Sequence, residues 1–207
     1  MIGFVFRLVT GILTLLVIAL AAGVGFLWYD GSQIIGRAEA SGWLLPKPND
    51  APMTVFETTA SKAMFGPTWN EAGFPCRTAA RFGLHYLSKP DRRGLSISQV
   101  IARDISYEVE ASQSLGSQTR QLSVACLLEG KHSDTELLRL WLRRANFGNG
   151  LAGLDAASQA VFGKAPSLMT DTEAAKLIAL IYRPELRGQA EQWSQRADAI
   201  AQRAAAN

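Results

Sequence analysis

Residues 128–175 read LEGKHSDTELLRLWLRRANFGNGLAGLDAASQAVFGKAPSLMTDTEAA. Two helix starts are written into this stretch. Ser133-Asp134-Thr135-Glu136 has the spacing of a capping box, in which a hydroxyl and a carboxylate three residues apart satisfy each other's backbone N–H groups. It opens directly onto Leu137, Leu138, Trp141, Leu142 and Ala145, which share one helical face, while Arg139 and Arg143 stand four apart on another. Arg143 and Arg144 fall near the end of this helix, where positive charge suits the helix dipole. Thr170 to Glu173 repeats the capping device ahead of Ala174, Ala175, Leu177, Ile178 and Ile181. Between the two helices, Gly148, Gly150, Gly153 and Gly163 are expected to serve turns and helix ends.

The same periodicity continues outward. Trp193, Ala197 and Ile200 mark a last helix, and residues 120–129 carry enough apolar side chains (Leu122, Val124, Ala125, Leu127, Leu128) for a buried one. Ser96 can cap a helix through Val100, Ile101 and Ile105. Pro75 can open another bearing Ala79, Phe82, Leu84 and Leu87. Strand signals are sparse, with Met53 to Phe56 the one fair candidate. The spacing therefore predicts a mostly α domain.

Residues 8–29 carry no charge, and roughly 20 apolar residues cross a bilayer as a helix. Arg7 precedes the run, Asp30 ends it, and Trp28 and Tyr29 sit where an interfacial aromatic belt belongs. An uncleaved membrane anchor is expected. A cleaved signal peptide is the competing reading, because Ala19-Leu20-Ala21 resembles a cleavage site. Either way the bulk of the chain is placed outside the cytoplasm. Residues 30–43 continue as a polar helical stalk, and Pro46, Pro48 and Pro52 with Asn49 and Asp50 break it. The expected division is a transmembrane anchor at 1–29, a stalk and linker at 30–59, and a domain at 60–207.

The chain is 48% hydrophobic with a net charge of +3 and contains no block of like charges, so nucleic acid is not an expected partner. Cys76 and Cys126 could pair in an oxidising compartment or remain free buried thiols, and both readings stay open. His85 and His132 lie far from them without ligand spacing, so neither a metal nor another cofactor is expected.

The stretch 128–175 resembles the C-terminal half of the family 51 glycosyltransferases, the lysozyme-like domains of class A penicillin-binding proteins and monofunctional peptidoglycan transglycosylases. Their pattern runs L-E, then S-K-x-E-I-L-E-x-Y-L-N, Y-F-G-x-G, G-I-x-A-A-x-x-Y-F-G-K and L-T-x-x-E-A-A. Here Leu128-Glu129, Ser133 to Leu142, Phe147-Gly148-Asn149-Gly150, Gly153 to Ala157, Val161 to Lys164, Met169-Thr170 and Glu173-Ala174-Ala175 keep that order without a gap. Upstream, residues 94–104 (GLSISQVIARD) resemble the family's G-S-T-I-T-Q-Q-L-A-K-N. The resemblance covers about residues 60–200. It implies a mostly α, lysozyme-like glycosyltransferase domain preceded by one N-terminal transmembrane helix. It also implies a place at the inner bacterial membrane with the domain extracytoplasmic. No transpeptidase domain is expected within 207 residues.

Family members join lipid II into glycan strands. A glutamate of E-D-x-x-F-x-x-H-x-G acts as general base, a role that requires a carboxylate within reach of the attacking hydroxyl. A second glutamate of R-K-x-x-E and nearby basic residues support the site and its leaving pyrophosphate. Anchoring on Gly73 puts Met64 at the base, and anchoring on Phe65 puts Ser61 there, so neither register supplies an acid. Counting back from Leu128-Glu129 puts Gln121 at the second glutamate, with Ser117 and Gln118 at the arginine and lysine. The later motif carries Asp134 for lysine, Arg139 for glutamate and Arg143 for asparagine. Ser96, Ser98, Gln99, Arg103 and Gln121 remain as candidate substrate-binding residues, and Ser96 is equally a helix cap. Glu57 and Glu71 are candidate replacement bases.

Three functions follow. One is a membrane-anchored pseudoenzyme that binds lipid II, glycan strands or other cell-wall synthesis proteins. The second is a divergent active glycosyltransferase. The third is a structural envelope protein whose cleft binds nothing.

Overall fold

The computed structural model describes residues 2–44, 51–66, 69, 76, 95–109 and 115–207. Among them the architecture is helical throughout, with one isolated antiparallel bridge between Asn146 and Ala152. The helices are α1 (Ile2–Ala40), α2 (Val55–Ala60), α3 (Ile97–Val109), α4 (Leu115–Lys131), α5 (Asp134–Leu142), α6 (Leu154–Phe162), α7 (Asp171–Tyr182) and α8 (Ala190–Ala205). A π-helical turn (Ser61–Phe65) extends α2. The helix expected after Pro75 lies outside the described residues.

α1 changes character along its length. Over its N-terminal part large apolar side chains are exposed on every side, with Leu15 and Leu20 each 68% exposed. This stretch is long and apolar enough to cross a bilayer and buries none of its surface in the domain, which makes it a candidate membrane span. Beyond Asp30 the same helix becomes one-sided: Ile34, Ile35 and Ala38 are buried, followed by Trp43 and Leu44. Residues read from sequence as stalk thus contribute to the core. α1 packs along α4 in the same direction, bracketed by Asp30–Arg120 at 2.6 Å and Glu39–Lys131 at 3.6 Å. Gly31 permits the approach, since a Cβ there would collide with the Ser123 hydroxyl and meet Leu127 at 3.3 Å.

α3 and α5 continue the layer beside α4, while α7 and α8 pack on one another and receive α2 and the π turn. The Trp193 indole N–H donates to the Lys176 carbonyl at 2.7 Å, fixing α8 on α7. One hydrophobic cluster runs from Ile34 to Ala204 through every helix, α6 contributing Ala157 with Leu154, Val161 and Phe162 packed half-buried against it. Cys76 and Cys126 are disulfide-bonded, with Cα atoms 4.8 Å apart. The bond ties the segment before α3 to α4.

Both capping boxes form. Glu136 N–H donates to Ser133 Oγ at 3.2 Å and Ser133 N–H to Glu136 at 2.8 Å, with Thr170 and Glu173 doing the same at α7. Met53 to Phe56 is corrected from strand to helix start. Thr54 is a third N-cap, its hydroxyl accepting from Glu57 N–H while Glu57 accepts from Thr54 N–H. Thr54, Val55 and Phe56 have strand-forming side chains, but this reciprocal cap outweighs propensity and no partner strand exists among the described residues.

Glu173 carries a second load. Lys164 donates to it at 3.0 Å, and this bond, with the Thr170 N–H, holds its pKa at about 2, below the usual 4.5. A depressed carboxyl stabilises the fold above its unfolded pKa and loses that contribution as pH falls through the folded value. Glu173→Gln is therefore expected to melt below wild type at neutral pH. The gap should close between pH 4.5 and about 2 in thermal unfolding followed by circular dichroism.

Candidate functional site

α5 separates two clefts, and helical geometry dictates how. Residues two apart on a helix point about 200° away from each other. Arg139 and Arg143 therefore face one side while Trp141, Arg144 and Ala145 face the other. The first set lines a cleft of about 700 Å³ against α6 and residues 51–57, and the second a cleft of about 630 Å³ against α3 and the π turn.

The α6-side cleft is organised by one ion pair. Arg139 Nε donates to Glu57 Oε1 at 2.7 Å and Nη2 to Oε2 at 3.3 Å. The side chains are only 11% and 9% exposed. Arg139 Nη2 also donates to the carbonyls of Ala51, at 2.6 Å, and Pro52, at 3.2 Å. Glu57 Oε2 meanwhile accepts from Thr54 N–H at 2.7 Å. The positive charge at 139 is thus answered by the carboxylate at 57, and both Glu57 oxygens are engaged. Gly153 closes the far wall at φ 88°, where a Cβ would stand 2.7 Å from the Arg143 carbonyl oxygen, so only glycine fits. Asp155 lines this cleft from the exposed first turn of α6, where a negative charge complements the helix dipole.

The α3-side cleft follows from four-residue spacing. Val100, Asp104 and Glu108 line it with Arg103, and across from them stand Trp141, Arg144 and Asn146 from the end of α5 and the loop after it. Asp104 accepts from the Trp141 indole at 3.0 Å and lies 3.4 Å from Arg103. Glu108 accepts from the Trp43 indole at 2.6 Å and from Arg144 at 2.6 Å. The Arg144 guanidinium also stands over the Trp43 ring, 5.1 Å from its centroid. Met64, Phe65, Leu95 and Ile181 supply the apolar wall.

Among the residues singled out from sequence, Arg103 lines the α3-side cleft and Glu57 the α6-side cleft. Ser96 and Gln99 cap α3 reciprocally, with Ser96 N–H on Gln99 Oε1 at 2.8 Å and Gln99 N–H on Ser96 Oγ at 3.3 Å. Ser98 is fully buried and donates to Glu129 at 2.6 Å. Gln121 is half-buried on α4 and lines neither cleft. Glu71 lies outside the described residues. Of the two base registers, Met64 lines the α3-side cleft, whereas Ser61 is buried and donates to the Thr58 carbonyl. Sequence reading passed over Asp104, Glu108, Trp43 and Trp141. The 100-104-108 spacing was the available signal for the first two.

The transglycosylase family model matches residues 69–205. Penicillin-binding protein 1C of Escherichia coli is 41% identical over 87 residues, 42% of this chain and 11% of that protein. A biosynthetic peptidoglycan transglycosylase of Mannheimia succiniciproducens is 34% identical over 117 residues, 56% of this chain and 47% of that protein. Penicillin-binding protein 2a of Streptococcus pneumoniae is 31% identical over 93 residues, 45% of this chain and 12% of that protein. The matched stretch spans less than half of each of these relatives.

Removing one partner of a buried ion pair strands the other charge, at a cost of about 3–5 kcal/mol. Arg139→Ala is expected to destabilise the domain by that amount in chemical denaturation. The Glu57→Ala/Arg139→Ala double variant should lose clearly less than the sum of the two single variants.

Proposed function

The chain belongs to the transglycosylase family, and from this membership we propose that it serves peptidoglycan synthesis as a membrane-anchored binding or scaffold module without glycosyl transfer of its own. The observation that carries the reading concerns the general base. Where the family motif places it, the two registers give Ser61 and Met64. The one carboxylate among the described residues of that segment, Glu57, is buried against Arg139 with both oxygens occupied. A general base must come within hydrogen-bond reach of the hydroxyl it deprotonates, and a carboxylate only 9% exposed that already accepts three hydrogen bonds offers little of itself to a substrate. Losing such a group costs about two to four orders of magnitude in rate.

The anchor reading rests on the all-round apolar surface of α1, with the domain on the extracytoplasmic side of the cytoplasmic membrane. The Cys76–Cys126 disulfide supports that orientation, because such bonds persist in oxidising compartments. Lipid II, glycan strands and other cell-wall synthesis proteins are the proposed partners. The second reading is a divergent active enzyme using Glu71, which falls within the span matched by the family model.

Glycan polymerisation from labelled lipid II by the full-length protein in detergent separates the two. No polymer is expected from wild type, with lipid II or glycan still bound. Polymer formation abolished by Glu71→Gln, Glu57→Gln or Asp155→Asn would overturn the non-catalytic reading and identify the base.

A further inference from the structure

Cys76 and Cys126 are the chain's two cysteines, and they meet in one bond with Cα atoms 4.8 Å apart. The bond closes a loop over a sequence separation of 50 residues. α3 lies wholly inside that loop, so the clasp bears on the cleft wall that carries Arg103, Asp104 and Glu108. Its two halves stand in unlike surroundings. Cys126 sits within α4, 7% exposed, among Val124, Ala125, Leu127 and Leu128, which are all buried. On either side of it α4 is held against α1, by Arg120–Asp30 and by Lys131–Glu39, with Gly31 close to Ser123 between them. Helix packing therefore sets the position of Cys126 whether or not the bond has formed. Cys76 belongs to no helix and is half-buried.

We propose that this pair is an oxidative modification site closed on the packed domain, Cys76 engaging an external disulfide donor and Cys126 acting as the resolving thiol. The proposal rests on the extracytoplasmic placement of the domain, where disulfide donors operate. The Cys76 thiolate attacks one sulfur of the donor, which forms a mixed disulfide and releases the first donor thiolate. The Cys126 thiolate then attacks the Cys76 sulfur and expels the second. Counted from the thiols, the chain gives up two protons and two electrons, and the donor leaves as a dithiol. Each attack requires access to a sulfur. A donor reaches half-buried Cys76 without disturbing α4, whereas reaching Cys126 first means uncovering a helix packed on α1 and α3. Closing the loop removes conformational entropy from the unfolded chain, so oxidation stabilises α3 and the cleft wall it forms.

The test mixes full-length Cys76→Ser and Cys126→Ser variants in detergent with oxidised glutathione and follows adduct formation by mass spectrometry. Cys126→Ser is expected to acquire glutathione on Cys76 at least about tenfold faster than Cys76→Ser acquires it on Cys126, with the two rates converging in denaturant. In thermal unfolding each single variant should melt roughly 5–15 °C below wild type, and the double variant no lower than either, because each removes the same bond. Wild type alkylated in intact cells should show no free thiol. Equal adduct rates, faster reaction at Cys126, or additive melting losses would each overturn the proposal. So would free thiols in a domain degraded by protease added outside the cytoplasmic membrane. Free thiols in a domain protected from that protease would instead overturn the orientation beneath it. Should either variant fail to fold, reduced wild type treated with limiting oxidised glutathione decides the roles by peptide mapping. A transient adduct on Cys76 is then expected, and one on Cys126 would overturn the assignment.

Discussion

A guanidinium only 11% exposed has to be neutralised where it lies, and at Arg139 that requirement joins α5 to residues 51–57. Leaving either charge alone in the interior costs several kcal/mol, so the two segments are obliged to meet. From this contact follow the seat of α2, the third capping box and the roof of the α6-side cleft, since the same guanidinium also holds the Ala51 and Pro52 carbonyls. The chemical consequence is just as direct. A carboxylate that anchors a fold in this way, 9% exposed and accepting three hydrogen bonds, presents little of itself to a substrate. The structural partners of Glu57 are the Arg139 guanidinium and the Thr54 backbone N–H.

The same logic recurs on the opposite face of α5. Trp141 and Arg144 bond to acids of α3, and each acid is shared between an indole N–H and a guanidinium. Polar groups in both clefts are thus largely satisfied by one another.

α1 runs from a candidate membrane span into this domain without a break. Its apolar surface faces every direction up to Tyr29 and one direction after Asp30, and the transition coincides with the Asp30–Arg120 pair and the close approach at Gly31. Trp43, just beyond the end of α1, bonds into the α3-side cleft. The anchor and the cleft wall are consequently continuous chain. The disulfide adds a second covalent fixture on α4, the helix against which α1 rests.

Local rules were enough to read the helical class, the long apolar N-terminal helix, two of the three capping boxes and the turn glycines. Each rests on interactions within a few residues or on the solvent a segment requires. Gly148, Gly150, Gly153 and Gly163 all have positive φ, as turn and helix-end positions demand. The third cap was equally local at Thr54–Glu57, but strand-forming side chains disguised it. The motif order of residues 128–175 likewise marked the family from sequence. What the sequence could not decide was which charges would neutralise which. Glu57 meets Arg139 across 82 residues, Glu108 meets Trp43 across 65, and Ser98 meets Glu129 across 31. Those partnerships separate a side chain available to a ligand from one spent on the fold. They exist only once packing has brought distant segments into hydrogen-bond range, because spacing along a chain carries no information about distance between helices.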